Sequence, residues 1–171
     1  MNIIISHITW FILIVLSQVL IFSELTMGVG LHIMVYPMLI LIWPFDLKPI
    51  FLMLFAFLLG ITIDFLSNTF GLHASSAVLV AYFRPELYRL FAPREGYDIL
   101  MKPSINDLGI KWFVYVMGVS LTLHHFWFFF LEIFSWKSWG LILKNTILST
   151  LFSLFFVIII EVLFRKNLMN K

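Results

Sequence analysis

Charge is absent from this chain in stretches about as long as a membrane is thick. No Asp, Glu, Lys or Arg occurs in 1–23, 25–45, 49–63, 65–83, 112–131 or 145–160. A helix rising about 1.5 Å per residue needs about 20 residues to cross roughly 30 Å of hydrocarbon. Repeated charge-free stretches of that order predict an all-α fold, a polytopic transmembrane helical bundle. Composition points the same way. At 62% hydrophobic and 12% charged, against the roughly 45–50% and 25% of soluble domains, there is too little polar side chain to cover a water-soluble core.

Charges and Pro/Gly punctuation divide the chain into six expected spans, near 3–23, 28–45, 49–67, 71–91, 111–134 and 139–164. They form a single transmembrane domain over 1–171, with a loop at 84–110 rich in Pro and mixed charge. That loop is either a solvated connection or a docking surface for a cytoplasmic partner. The N-terminus has no basic leader and Phe22-Ser23-Glu24 is a poor cleavage site, so the first segment is expected as a retained helix. Lys48, Arg84, Arg89, Arg94, Lys102, Lys111, Arg165, Lys166 and Lys171 fall on one side of six spans, Lys137 and Lys144 on the other. The excess of Lys and Arg on the cytoplasmic side predicts N-in, C-in topology and makes 84–110 cytoplasmic. Trp43 and Trp112 then mark the inner boundary, Trp136 and Trp139 the outer.

Several function classes are disfavoured. No basic run exceeds Arg165-Lys166, which argues against nucleic-acid binding. The absence of Cys excludes disulfides, thiolate metal sites, iron–sulfur clusters and Cys nucleophiles. No HExxH, GxSxG or Walker pattern occurs. The expectation is therefore no enzyme, with no catalytic, cofactor or metal residue assigned. An intramembrane hydrolase using Asp64 or the adjacent histidines stays open, because catalytic triads are spatial.

Polar groups inside spans are costly and usually face the protein interior. Ala56, Gly60, Asp64 and Asn68 recur every four residues and share a stripe of the third helix. Small residues on such a stripe let a neighbouring backbone approach closely. Asp64 either caps the fourth helix, through the turn Ser67-Asn68-Thr69-Phe70-Gly71, or contacts a ligand or partner. His124 and His125 point about 100° apart, whereas zinc-binding pairs use i, i+4 spacing; hydrogen-bonded packing competes with a proton-relay or metal role. His125 and Glu132 share a face seven residues apart, as do His7 and Gln18 eleven apart. Thr146, Thr150, Ser153 and Glu161 mark the interior face of the sixth helix. With N-in topology, Gln18, Glu24, Asp64, Asn68, His73, His125 and Glu132 all fall in the outer half, which predicts a polar cleft open to the outside. Alanine at Asp64 and Glu132 is expected to impair function without lowering membrane abundance.

The run Leu59-Gly60-Ile61-Thr62-Ile63-Asp64-Phe65-Leu66-Ser67-Asn68-Thr69-Phe70-Gly71-Leu72-His73-Ala74 resembles the central signature of MreD, the rod shape-determining membrane protein family of bacteria. That signature joins a Gly-xxx-Asp helix end to a Gly-Leu-[His/Asn]-Ala start of the next helix. The wider layout is also similar to the family, with five or six spans and Tyr36-Pro37 in a Pro-containing second span, while Phe83-Arg84-Pro85 and Phe91-Ala92-Pro93-Arg94-Glu95 with Tyr97-Asp98 look like a divergent branch with an enlarged inner loop. The resemblance implies a non-enzymatic component of the bacterial cytoplasmic membrane that maintains cell shape. Its implied partners are MreC, the elongation glycosyltransferase and transpeptidase of peptidoglycan synthesis, and indirectly the MreB cytoskeleton, within membrane lipid. Gly60, Asp64, Asn68, Gly71 and His73 would be the signature positions, and Gln18, Glu24, His125 and Glu132 would complete the outer cleft. Small six-span bundles with an outer cavity also look like the substrate-binding subunits of energy-coupling-factor transporters, which is the alternative.

Overall fold

The computed structural model describes residues 3–23, 25, 30–45, 47–98, 101–135 and 137–169, with side chains from Thr9 to Leu163. Glu24, Trp136 and Lys171 lie outside the described residues, as do the side chains of His7, Arg165 and Lys166. Among the described residues the regular structure is helical, with no strand. Helix α1 (Ile3–Ser17) runs into a π-helical turn at Gln18–Phe22; α2 is Pro37–Leu41, α3 Pro49–Ser67, α4 Leu72–Leu90, α5 Ile105–Ile133 and α6 Trp139–Met169. By length and composition, α3, α5 and α6 (to Leu163) can cross a membrane. Helix α4 matches α3 at 19 residues but carries Arg84, Glu86 and Arg89 near its end.

The segment 28–45 is not the helical span expected from its hydropathy. Residues 31–35 are extended, and only Pro37–Leu41 are helical, with Pro37 at the first position, where its missing N–H costs nothing. From Ile33 to Leu41 every residue is buried. Non-helical backbone in apolar surroundings survives only where its polar groups find partners within the protein, and here side chains supply them. Ser149 Oγ accepts from His32 N (3.0 Å) and Ser153 Oγ from Met34 N (2.9 Å). The Gln18 amide imitates a neighbouring strand: Oε1 accepts from Val35 N and Nε2 donates to Ile33 O, both at 2.9 Å.

The other end of this segment is tied to α4. Tyr88 donates its hydroxyl proton to Leu41 O, and the Arg84 guanidinium donates to the carbonyls of Trp43 and Pro44. Arg84 is only 3% exposed and lies 4.6 Å over the Tyr88 ring, so it is not the solvated loop residue expected. Carbonyls left without helical partners at Trp43–Pro44 draw the guanidinium inward. The connection expected at 84–110 is correspondingly shorter. Helix α4 continues past Pro85, on its exposed face, to Leu90, and α5 begins at Ile105.

At α5, the Ser104 hydroxyl accepts from Asp107 N (3.2 Å) as an N-cap. The helix then breaks at Gly109, whose φ of 81° and ψ of 160° are non-helical; a residue with a Cβ avoids that conformation. The apolar span starts beyond this break, as the sequence suggests. An aromatic cluster fixes the loop against the bundle. Phe45 stacks on Tyr97 with ring centroids 4.4 Å apart. The Tyr97 hydroxyl donates to Tyr88 O (2.7 Å) and accepts from Trp112 Nε1 (3.1 Å).

Candidate functional site: the Asp64–His73 junction and the cavity beside it

Helices α3 and α4 form a hairpin whose turn is organised by one carboxylate. Asp64 lies in the last turn of α3, 4% exposed. Its backbone carbonyl accepts from Asn68 N and Thr69 N, closing α3. Asn68 takes the left-handed conformation (φ 56°, ψ 43°) that commonly ends a helix, and Gly71 takes another (φ 88°) as the chain turns into α4. Gly71 has no side chain to cap the N–H groups that begin α4, and Asp64 caps them instead. Oδ1 accepts from His73 N (3.1 Å) and Oδ2 from Ala74 N (2.9 Å). A carboxylate there satisfies orphan donors and meets the positive end of the helix dipole. Of the two roles open for Asp64, this geometry is the capping one.

The same carboxylate orients His73. Thr69 donates its hydroxyl proton to Asp64 Oδ1 (2.6 Å), and His73 Nδ1 lies 3.1 Å from Oδ1 and 2.9 Å from Thr69 Oγ1. With the Thr69 proton committed, the network assigns the imidazole proton to Nδ1, leaving Nε2 as an acceptor. Across from it, Tyr36 Oη sits 3.3 Å from His73 O and 2.5 Å from His124 Nε2. Gly60 makes the hairpin tight. A Cβ on it would fall 2.4 Å from Ala74 Cα.

A cavity of about 160 Å³ opens beside this junction. Its polar lining comes from Gln18 and Ser23 at the end of α1, His32 of the extended segment, Ser67 of α3, Thr69 of the turn, His73 of α4 and Glu132 of α5. Phe22 and Phe128 form apolar walls.

Of the outer-cleft residues expected from sequence, Gln18 and Glu132 line this cavity together with the signature residue His73. Asn68 is exposed on the turn and Asp64 is consumed by capping. His125 is not in the lining. It shares a face with Glu132, but seven residues along α5 place it about 10 Å deeper. There it is fully buried, with Nδ1 donating to Leu121 O (2.7 Å) and Nε2 accepting from Ser153 Oγ (3.2 Å). His124 turns the other way, to Tyr36. Both members of the pair are buried and hydrogen-bonded, and no group of three His, Cys, Asp or Glu among the described residues is placed to hold a metal ion. Thr146, Thr150, Ser153 and Glu161 are all buried, marking the interior face of α6.

Sequence reasoning assigned no site role to His32, Tyr36, Thr69 or Ser149, although Tyr36 and Thr69 lie in the stretches through which the chain resembles the family. Thr69 had a local signal, being in the turn five residues after Asp64. His32, Tyr36 and Ser149 acquire their roles only because 31–35 is extended, and a helical reading of that segment hides them. No protein-family model, curated protein or solved structure matches this chain.

Proposed function

We propose that this protein is a non-enzymatic, multi-pass scaffold of the bacterial cytoplasmic membrane, working in the cell-elongation machinery. It holds MreC and the elongation glycosyltransferase and transpeptidase together during lateral peptidoglycan synthesis, and through them acts with the MreB cytoskeleton. The observation that carries this reading is the α3–α4 junction. Gly60, Asp64, Gly71 and His73, through which the chain resembles the MreD family, act there as one unit: close approach, cap, turn and oriented imidazole.

In this reading the chain crosses the membrane six times with both termini inside. The second crossing is the partly extended segment rather than a helix. Five extended residues at about 3.3 Å and six in helical conformation from Tyr36 to Leu41 at about 1.5 Å reach about 25 Å between them, somewhat less than the roughly 30 Å of hydrocarbon. With so little mass outside the spans, the means of holding partners are interhelical packing and the connection between α4 and α5. Exposed Phe65, Leu66, Phe155 and Leu163 leave ample apolar helix surface for lipid or partner helices.

The test is affinity purification of the tagged protein from its host in mild detergent, with mass spectrometry of partners and retained small molecules. Recovery of MreC and the elongation synthases is expected. Recovery of ATPase subunits, or of a small molecule in stoichiometric amount, overturns the scaffold and favours the substrate-binding subunit of an energy-coupling-factor transporter. The cavity beside His73 is the observation that supports this second reading.

A further inference from the structure

We infer that the cavity beside the Asp64–His73 junction is a binding site for an organic cation, a primary ammonium or a guanidinium group. The inference concerns the chemistry of the ligand and holds whichever machinery the protein serves.

The charge of the lining sets the sign. Glu132 is the charged side chain among the lining residues, with no Lys or Arg beside it. Its carboxylate has no hydrogen-bond or ion-pair partner within the described chain. An anion would need donors, and the donors closest to hand, the N–H groups of His73 and Ala74 at the start of α4, are already used by Asp64. Among the other lining side chains, the hydroxyls of Ser23, Ser67 and Thr69 and one nitrogen of each imidazole can accept, and the Gln18 amide N–H group is already engaged with Ile33 O. His73 is 5% exposed and presents Nε2, since Nδ1 is held by Asp64 and Thr69. Ser67 Oγ is buried without a partner. An isolated buried hydroxyl of this kind is costly unless something fills the space next to it.

The walls fit the same ligand. Phe22 and Phe128 flank the polar groups, and aromatic faces attract ammonium and guanidinium groups when water is excluded. The volume of about 160 Å³ is several times the roughly 30 Å³ share of one water, enough for a small cationic head group. A coordinated metal ion is disfavoured, because the described residues offer no group of three suitable ligands. Two sources carry this chemistry: a soluble organic cation and the ethanolamine head group of a membrane lipid.

The test uses the full chain in non-ionic detergent and saturation-transfer NMR. Propylguanidinium and propylammonium are the probes, with propanol and propionate as size-matched controls. Saturable binding of the two cations and not of the controls is expected. Glu132→Gln should weaken it at least tenfold. Glu132 is exposed and unpaired, so this variant should fold, and size-exclusion chromatography checks that it does. Ser67→Ala, which removes a hydroxyl with no partner, should weaken binding several-fold. Glu95→Gln, in the connection between α4 and α5, should leave it unchanged. Displacement of the probe by phosphatidylethanolamine but not phosphatidylglycerol assigns the site to a lipid head group; no displacement by either assigns it to a soluble cation. Equal binding of propanol and the cations, or unchanged binding in Glu132→Gln, overturns the inference.

Discussion

A methyl group added to Gly60 would lie 2.4 Å from Ala74 Cα and 2.6 Å from Ala74 N. These are backbone atoms of α4, so no rotamer change can make room, and the two helices must part. The parting would also lengthen the bonds from His73 N and Ala74 N to Asp64, because they belong to the same stretch of backbone. Gly60→Ala should therefore destabilise the protein by about 2–3 kcal/mol, the upper part of the range for overpacking. Reversible unfolding in mixed detergent micelles measures this, and a variant as stable as the parent would show that the helices do not approach so closely.

Asp64 and Glu132, paired by the sequence as residues of one cleft, should separate on mutation. Asp64→Ala strips the partners from two buried N–H groups and from the His73 ring, at about 1–3 kcal/mol for each group left unsatisfied. Membrane abundance should fall sharply. Asp64→Asn keeps an acceptor and should retain more. Glu132→Ala removes an exposed carboxylate and should leave abundance within error of the parent. Quantitative blotting of membrane fractions decides, and equal loss for both variants would count against the capping role.

Gln18→Leu should loosen the extended segment while preserving the bulk of the side chain. It leaves Ile33 O and Val35 N without partners, at a combined cost of about 2 kcal/mol or more. Hydrogen exchange at the Val35 amide is the sensitive readout and should speed up by at least tenfold. Unchanged protection at Val35 would mean that the segment has another anchor.

The loop at the far end has a pH signature. Burial raises the Tyr97 phenol above its usual value of 10.0, partly opposed by the hydrogen bond it accepts from Trp112. A raised phenol binds its proton more tightly in the folded state. Its contribution to stability is thus fully present below about pH 10 and declines as pH rises through the folded pKa. Tyr97→Phe should flatten the loss of stability above about pH 10 and lower stability slightly at neutral pH. Thermal unfolding between pH 7 and 11 tests both.

Legibility in the sequence followed the range of the interactions. The α3–α4 turn could be read because its parts are close together: Asp64, Thr69, Gly71 and His73 lie within ten residues, and helix-ending and helix-capping rules are local. The start of the apolar part of α5 was readable too, since Gly109 and Lys111 bracket it. The segment 28–45 was not. Its residues are as apolar as those of any span, and hydropathy counts side chains without asking where the backbone hydrogen bonds go.

What the sequence determined by itself is the character of the chain: all-helical, with membrane-length apolar helices, and with Asp64 poised at a turn beside a small-residue stripe. Those properties follow from composition and from periodicities a few residues long. Tertiary structure alone decided that 31–35 is extended, that Arg84 turns inward, and that Gln18, His32, His73 and Glu132 surround one cavity. The partners of the extended backbone, Gln18, Ser149 and Ser153, come from helices up to 119 residues away. A side chain can replace a helical hydrogen bond only when folding has brought it within about 3 Å, and no local pattern records that distance.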